Sequence, residues 1–532
     1  MQAPLLDLAA ELAGAPATLK ETHISRVALA GPPGSGVVLK QCKPVDFGFV
    51  DLRTREQRRA ALEKEHAVND RFAPGVYRGV RELPDGEPVL EMLRLNEADT
   101  LEAKVKRGEA TTADLDAILD HLLPLFEQSA RGPEVAKWGA PAVIRRNLIE
   151  NLEALDAAAL PAGGRMAVKA LRAAQLTYLT LHDAAIRRRA ADGFVRDGHG
   201  DLRAEHIYLT AEGVKALDGI AFGDRLRCVD VADEFAFLAH SLDQIDPAVP
   251  CRPRPVTGKR LLRRYRTQSG DPASDKLLSF YRSYRAAVRA KVAALSDADA
   301  EDGNSPLNRN LFGALEHAQA FELPEILIAF GGRSGTGKST VAAAVADRLG
   351  ASRLRSDELR KQALGVAADA PAPDGGYDPA VSDAVYAELV SAAADAMTSY
   401  GTAVVDATFL TASRRTPLVE RCAHLAGEGD EPEDWPQSDQ AVLFIWGECD
   451  DAVAEGRIAQ RAAAGEDVSD ATVEVRRQQA AVAEPPTDDE FAGLPAAALL
   501  RLDTDAPVEA LTDRVIDALR DLVRVAGSAG VQ

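Results

Sequence analysis

The residues best placed to do chemistry begin at Gly332, in Gly332-Arg-Ser-Gly335-Thr336-Gly337-Lys338-Ser339-Thr340. An apolar run at 326–330 precedes them, and an alanine-rich helical pattern follows to about Gly350. Gly332, Gly335, Thr336, Gly337 and Thr340 shape a loop whose backbone N–H groups turn inward around phosphate oxygens. Lys338 can reach the β- and γ-oxygens, Ser339 can hold Mg²⁺, and the helix N-terminus adds its positive dipole end. The spacing predicts a nucleoside triphosphate site for ATP with Mg²⁺.

Further along, Asp357 and Arg360 lie in Leu354-Arg-Ser-Asp357-Glu-Leu-Arg360-Lys361, and Asp406 closes an apolar strand pattern. Asp357 is placed to accept the acceptor hydroxyl's proton, and Arg360 to hold the acceptor. Asp406 is placed to organise Mg²⁺ through water. Arg457 and Arg461 share one helix face at i, i+4 and could close over the phosphates as a lid. The plainer readings are a strand-end acid for Asp406 and a solvated helix face for the two arginines.

A second constellation lies nearer the N-terminus. His199-Gly-Asp201-Leu202 is followed by a hairpin pattern with a turn at Glu212-Gly213, then by Asp218. This order sets a catalytic base, Asp201, beside a metal-binding carboxylate, Asp218. Upstream, Lys40 on a strand and Glu65 on a helix could form the ion pair that orients the α- and β-phosphates. Singly, each reads as ordinary surface; the order Lys, Glu, His-Gly-Asp, Asp carries the expectation. His206 stands five residues after Asp201, where a second metal ligand is usually Asn. Imidazole matches Mg²⁺ poorly. Either one ion suffices, or His206 has another role, or this half has lost turnover. The glycine loop Gly31-Pro-Pro-Gly-Ser-Gly36 is irregular and stiffened by Pro32 and Pro33.

These residues need two scaffolds. In the first half, strand-like runs at 25–30, 37–40, 77–83 and 88–93 surround a helical pattern at 55–72. Residues 112–191 read as mostly helical, then a hairpin, then helices to about residue 295. In the second half, strands at 326–330, 403–406, 441–445 and 499–502 alternate with helices, which implies a parallel sheet covered on both faces. The acidic, turn-rich stretch 296–306 and a short helix at 307–321 separate the halves. Surface loops are expected at 367–376 and 427–437, and no internal repeat is evident. The expected fold class is α/β and α+β in two domains, at 1–300 and 323–532, with a linker at 301–322.

Residues 15–295 resemble the bacterial aminoglycoside-phosphotransferase-like enzymes, which have a bilobal protein-kinase-like fold. The resemblance rests on Glu21-Thr-His-Ile-Ser25, Lys43-Pro-Val-Asp-Phe-Gly48, His199-Gly-Asp-Leu202 and Phe280-Tyr-Arg-Ser-Tyr-Arg-Ala-Ala-Val-Arg-Ala-Lys291. It implies Asp201 as base and Asp218 as Mg²⁺ ligand. Residues 324–525 resemble the P-loop kinases that include gluconate kinase, the zeta-toxin kinases and polynucleotide 5′-kinase. The Asp357-x-x-Arg360 pair matches the last two in particular. This second resemblance implies Asp357 as base, Arg360 as acceptor contact, Lys338 and Ser339 as nucleotide and Mg²⁺ contacts, and Arg457 with Arg461 as lid. The whole chain is similar to fusions of the two domain types. The implied function is an ATP-dependent, bifunctional phosphotransferase acting on a hydroxyl of a sugar, aminoglycoside or nucleoside. Two other functions stay open: a polynucleotide 5′-hydroxyl kinase in the second half, or a non-catalytic ligand sensor in the first that regulates the second.

Composition bounds these readings. The 532 residues are 46% hydrophobic and 27% charged, as in globular proteins, with a formal charge of −20. Such acidity argues against broad binding to nucleic acid or anionic membranes. One stretch, 252–291, holds twelve Lys/Arg against two Asp. Arg282, Arg285 and Arg289 there have helical spacing, and form either an internally paired or solvated face or an anion-binding wall. No apolar run reaches membrane-span length, and the N-terminus lacks the pattern of a secretion signal. The five cysteines, Cys42, Cys228, Cys251, Cys422 and Cys449, are scattered and odd in number. They read as reduced thiols of a cytoplasmic protein, with neither a zinc site nor a disulfide framework.

Overall fold

Alternation along residues 25–42 sets the first sheet. Ala28, Ala30, Val37 and Leu39 point to one face, where they pack with Leu5 and Ala9 of the helix Ala3–Ala13. Lys40 therefore points to the other face, level with Leu90 across the sheet. The computed structural model describes residues 3–46, 51–245, 255–296, 302–367, 370–373, 375–425, 440–464, 469–494 and 496–529. Strands β1 (Ala17–Glu21), β2 (Ser25–Ala30), β3 (Val37–Cys42), β4 (Tyr77–Glu82) and β5 (Pro88–Leu93) form an antiparallel sheet in the order β1-β2-β3-β5-β4. The helix Arg55–Asn69 starts at a capping box of Thr54 and Gln57 and buries Leu62 with Leu90 on the Lys40 face. Strand β1 is an element that the sequence pattern does not announce.

A mostly helical region follows. It carries two small antiparallel pairs, β6 (Val195–Asp197) with β9 (Cys228–Asp230), and β7 (Ile207–Thr210) with β8 (Gly213–Ala216). The hairpin expected after Asp201 is the second of these. Two of the three arginines of the basic stripe are internally paired: Arg285 is buried against Asp233 at 2.7 Å, and Arg282 meets Asp243.

The second sheet is wholly parallel, ordered β11 (Ser352–Arg355), β12 (Thr402–Asp406), β10 (Glu325–Gly331), β13 (Gln440–Glu448), β14 (Ala497–Asp503). Both faces are covered. One core holds Ile326, Ile328 and Phe330 with the helix Lys338–Leu349, and the other holds Leu327 and Ala329 with the helix Pro379–Tyr400. The two-domain expectation of α+β followed by α/β holds. The loop expected at 427–437 lies outside the described residues, as do 297–301 of the acidic stretch and 368, 369 and 374 of the other loop.

Contacts divide the chain into two units, 1–154 with 183–317, and 155–182 with 318–532. The helix Ala162–Leu181 thus packs within the P-loop unit. Its Thr177 and Thr180 hydroxyls donate to the carbonyls of Leu349 and Arg348 at 3.2 and 3.0 Å, capping the end of the helix Lys338–Leu349. Helical periodicity at 112–191 reveals an apolar face but not the partner that covers it.

At Gly350, φ is +64°, and a Cβ would lie 2.8 Å from the Arg172 carbonyl oxygen. Gly365 is also left-handed, at φ +67°, but has open space around it. Gly350→Ala should therefore destabilise the P-loop unit by about 1–3 kcal/mol, more than Gly365→Ala, which suffers backbone strain alone. Thermal unfolding of the full chain reads this as a lower midpoint for Gly350→Ala. Equal midpoints would mean that the helix 162–181 does not press on Gly350.

Candidate active sites

The P-loop grows out of strand register. Phe330 pairs with Asp406 on β12, and Asp406 pairs with Arg355 on β11, so three strands end level with one another. The chain turns at Gly332, where φ is +126° and a Cβ would sit 2.5 Å from the Gly447 carbonyl oxygen. It then passes Gly335, Thr336 and Gly337 into the helix begun by Lys338, Ser339 and Thr340. The Ser339 hydroxyl donates to Asp406 Oδ1 at 3.0 Å, and Arg355 Nε lies 3.4 Å from Asp406 Oδ2. Asp406 is buried, and both its oxygens have a partner.

Two cavities meet here. One, of about 480 Å³, is lined by Gly335, Lys338, Ser339 and Thr340 together with Arg457 and Arg461. Both arginines face this cavity but bond to backbone: Arg457 to the carbonyls of Thr336 and Thr504, Arg461 to that of Ala471. The other, of about 410 Å³, is lined by Lys338 and Ser339 again, with Asp357, Arg360 and Asp406. Lys338 and Ser339 border both spaces. Arg360 is buried, donates from Nη1 to the Gly376 carbonyl at 2.9 Å and lies over the Tyr377 ring at 4.5 Å. Its Nε has no hydrogen-bond partner. Tyr377 donates to Asp470 at 3.2 Å, and burial first, then Asp357 and Asp470, push its hydroxyl pKa up.

In the kinase-like unit, period-two alternation on β3 and Glu65's place on the helix Arg55–Asn69 bring Lys40 Nζ to 2.7 and 2.9 Å from the Glu65 carboxylate. Burial pulls the Lys40 pKa down, but Glu65 and Asp218 outweigh it and raise it. Asp201, His206 and Asp218 offer ligand atoms within 4.8 Å of one another. Asp218 sits at φ +63°, exposed, with its backbone N–H donating to Tyr77 Oη at 3.1 Å. Arg203 holds Asp201 by both oxygens at 2.9 Å, and its Nη2 lies 3.0 Å from His206 Nε2. Burial raises the Asp201 pKa, yet Arg203 and His206 outweigh it, so the carboxyl stays below its ordinary range.

The loop beneath them is pinned by buried groups. His199 donates from Nε2 to the Leu217 carbonyl at 3.0 Å and accepts the Asp201 N–H on Nδ1 at 3.3 Å. Burial pushes its pKa down to about 4, which keeps the ring neutral. Glu234 Oε1 accepts the N–H groups of His199 and Gly200, both at 2.7 Å. Arg203, Tyr77, Glu234, Arg355 and Tyr377 were not singled out by sequence reasoning. Only Arg203, two residues after Asp201, carried a positional cue.

The AAA domain family matches residues 327–486, and a P-loop of that kind implies nucleotide binding. The uncharacterized protein Rv2004c of Mycobacterium tuberculosis (strain ATCC 25618 / H37Rv) is 31% identical over 401 residues, covering 74% of this chain and 78% of that protein. The chain belongs to that protein's family. Among solved structures, a gluconokinase from Sinorhizobium meliloti 1021 is 22% identical with a TM-score of 0.25, covering 39% of this chain and 97% of its own. A choline/ethanolamine kinase family protein from Mesorhizobium loti is 15% identical with a TM-score of 0.35, covering 60% and 93%. Among the described residues, no helix is long and apolar enough to cross a membrane.

Glu234 gives a pH-dependent expectation. Burial raises its pKa to about 7, so its contribution to stability is present below its unfolded value and is lost as pH rises through about 7. Glu234→Gln keeps an acceptor for the two N–H groups and removes the ionisation. The variant should therefore gain stability relative to the parent between pH 5 and pH 8, by up to about 3 kcal/mol. Urea unfolding at the two pH values checks this; a constant difference would show that Glu234 does not titrate in that range.

Proposed function

We propose that this chain is an ATP- and Mg²⁺-dependent phosphotransferase whose P-loop unit moves the γ-phosphate to a hydroxyl of a sugar-sized small molecule. The observation that carries this reading is the pair of cavities joined at Lys338 and Ser339, with Asp357 on the second. The acceptor oxygen attacks the γ-phosphorus, the bond to the β-phosphate oxygen breaks, and Asp357 takes the hydroxyl proton. Lys338 and the loop N–H groups stabilise the charge gathering on the phosphoryl oxygens, and Arg457 and Arg461 close from the donor side. Arg360 positions the acceptor. The oxygen donors Ser339 and Asp406 suit Mg²⁺, which would neutralise charge between the β- and γ-phosphates. A cavity of about 410 Å³ suits one small acceptor, and a formal charge of −20 disfavours a polynucleotide.

The kinase-like unit is proposed as a second phosphotransfer site, with Asp201 as base and Lys40, Glu65 and Asp218 on the nucleotide. We propose a functional division at 301–322 into 1–300 and 323–532, although by contacts the first unit runs on to 317 and 155–182 packs with the second. One observation favours a sensor in the first unit instead: Arg203 already holds both oxygens of the proposed base.

The test is a screen of sugars, aminoglycosides, nucleosides and oligonucleotides for ATP-dependent phosphorylation by the full chain. Each unit is silenced by substitution rather than by excision. Lys338→Ala should weaken nucleotide binding and lower the rate. Asp357→Asn should keep ATP affinity while kcat falls about 10²–10⁴-fold, the usual worth of a general base. Wild-type turnover by Asp357→Asn would remove Asp357 as the base. Asp201→Ala should spare nucleotide binding and abolish transfer by the first unit. If it changes no transfer to any acceptor, the sensor reading stands.

A further inference from the structure

We propose that the metal position of the kinase-like unit selects a first-row transition ion such as Mn²⁺ over Mg²⁺, with the His206 imidazole as a ligand beside Asp218. This rests on the proposal that the unit binds a nucleoside triphosphate. The donor set is where this chain and a Mg²⁺ site disagree.

His206 Nδ1 lies 2.9 Å from the Asp201 carbonyl oxygen. A carbonyl only accepts, so Nδ1 carries the proton and Nε2 presents its lone pair. Metal-binding imidazoles are set in the same way, with the second nitrogen donating to a carbonyl that fixes tautomer and ring orientation. Nε2 faces Asp218 Oδ2 at 3.8 Å and Arg203 Nη2 at 3.0 Å, and the same Nη2 lies 2.9 Å from Asp201 Oδ2. A cationic nitrogen thus stands among the donors that a divalent ion would take. Arg203 also pairs with Glu205 and so keeps a carboxylate partner if an ion displaces it from His206.

Neighbouring ligands about 2.1 Å from one ion lie about 3 Å apart. The gap of 3.8 Å closes with a small shift of Asp218, which is exposed. His199 cannot substitute, because both its nitrogens are engaged. One imidazole, His206, and one carboxylate, Asp218, form a mixed donor set, with Asp201 left as the base. Mg²⁺ prefers oxygen and sheds water reluctantly, whereas first-row transition ions bind nitrogen more tightly. The P-loop unit, with Ser339 and Asp406, offers oxygen alone and provides the contrast within one chain.

The full-length Lys338→Ala protein, with the P-loop site weakened, is loaded with Mn²⁺ and a non-hydrolysable ATP analogue. Pulsed electron paramagnetic resonance should show coupling to an imidazole nitrogen. Adding His206→Asn or His206→Gln should abolish it and lower the Mn²⁺-to-Mg²⁺ affinity ratio at this site about tenfold or more. Two replacements guard against one that misfolds. Bound Mn²⁺ and nucleotide without nitrogen coupling, or an unchanged ratio in both variants, overturns the assignment while leaving nucleotide binding intact. No nucleotide binding by Lys338→Ala overturns the underlying reading of the unit, and the metal assignment with it.

Discussion

A carboxylate folded out of water must be neutralised where it stands, and both units are organised around that constraint. Asp233 meets Arg285, Asp230 and Asp271 share Arg189, Glu65 meets Lys40, and Glu490 meets Arg415. Such pairs add little net stability, because desolvation consumes most of the attraction. Removing one partner, however, strands a charge at a cost of about 3–5 kcal/mol. The pairs therefore specify geometry more than they add stability. Asp406 shows the principle at a site: Ser339 and Arg355 hold it in place, parallel register setting Arg355 level with it and the turn of the P-loop bringing Ser339 to it.

The same constraint explains what could be read from the sequence. The P-loop was legible because its chemistry is local: strand, glycines, Lys338 and the helix start are contiguous. Lys40, Glu65, Asp201 and Asp218 were legible from their order along the chain. Partners were not. Arg282 and Arg285 have the helical spacing of an exposed stripe, and only the neighbouring helix Val231–Asp243 supplies the acids Asp233 and Asp243 that bury it. Tyr77 gives no local sign that its hydroxyl will hold the Asp218 backbone. The helix Ala162–Leu181 reads as amphipathic, but its partner lies some 170 residues further on.

The two candidate sites present different donors. In the P-loop unit, the side-chain donors are one hydroxyl, Ser339, and one carboxylate, Asp406, so a metal held there would meet oxygen. In the N-terminal unit, Asp201, His206 and Asp218 cluster, with an imidazole where the sequence pattern leads one to expect an amide oxygen. That replacement couples three groups tightly. The Asp201 carboxylate, the Arg203 guanidinium and His206 exchange hydrogen bonds, so on the proposed reading an ion bound at His206 would also shift the hold of Arg203 on Asp201.

Chain connectivity makes the P-loop unit unusual as a module. Its core needs residues 155–182, yet those residues are flanked in sequence by segments of the other unit. During synthesis the helix 162–181 emerges long before the sheet it covers, with buried positions such as Leu176 and Leu179 awaiting a partner. Closing that contact spans a long stretch of chain, and such closure is slow because its entropy cost comes before any contact is gained. The kinase-like unit can complete its own pairings first, since all its segments end by residue 317. A P-loop half excised at residue 318 would expose the β12 end, Leu349 and Gly350 to water in place of that helix. The two units are therefore linked in folding through residues 155–182.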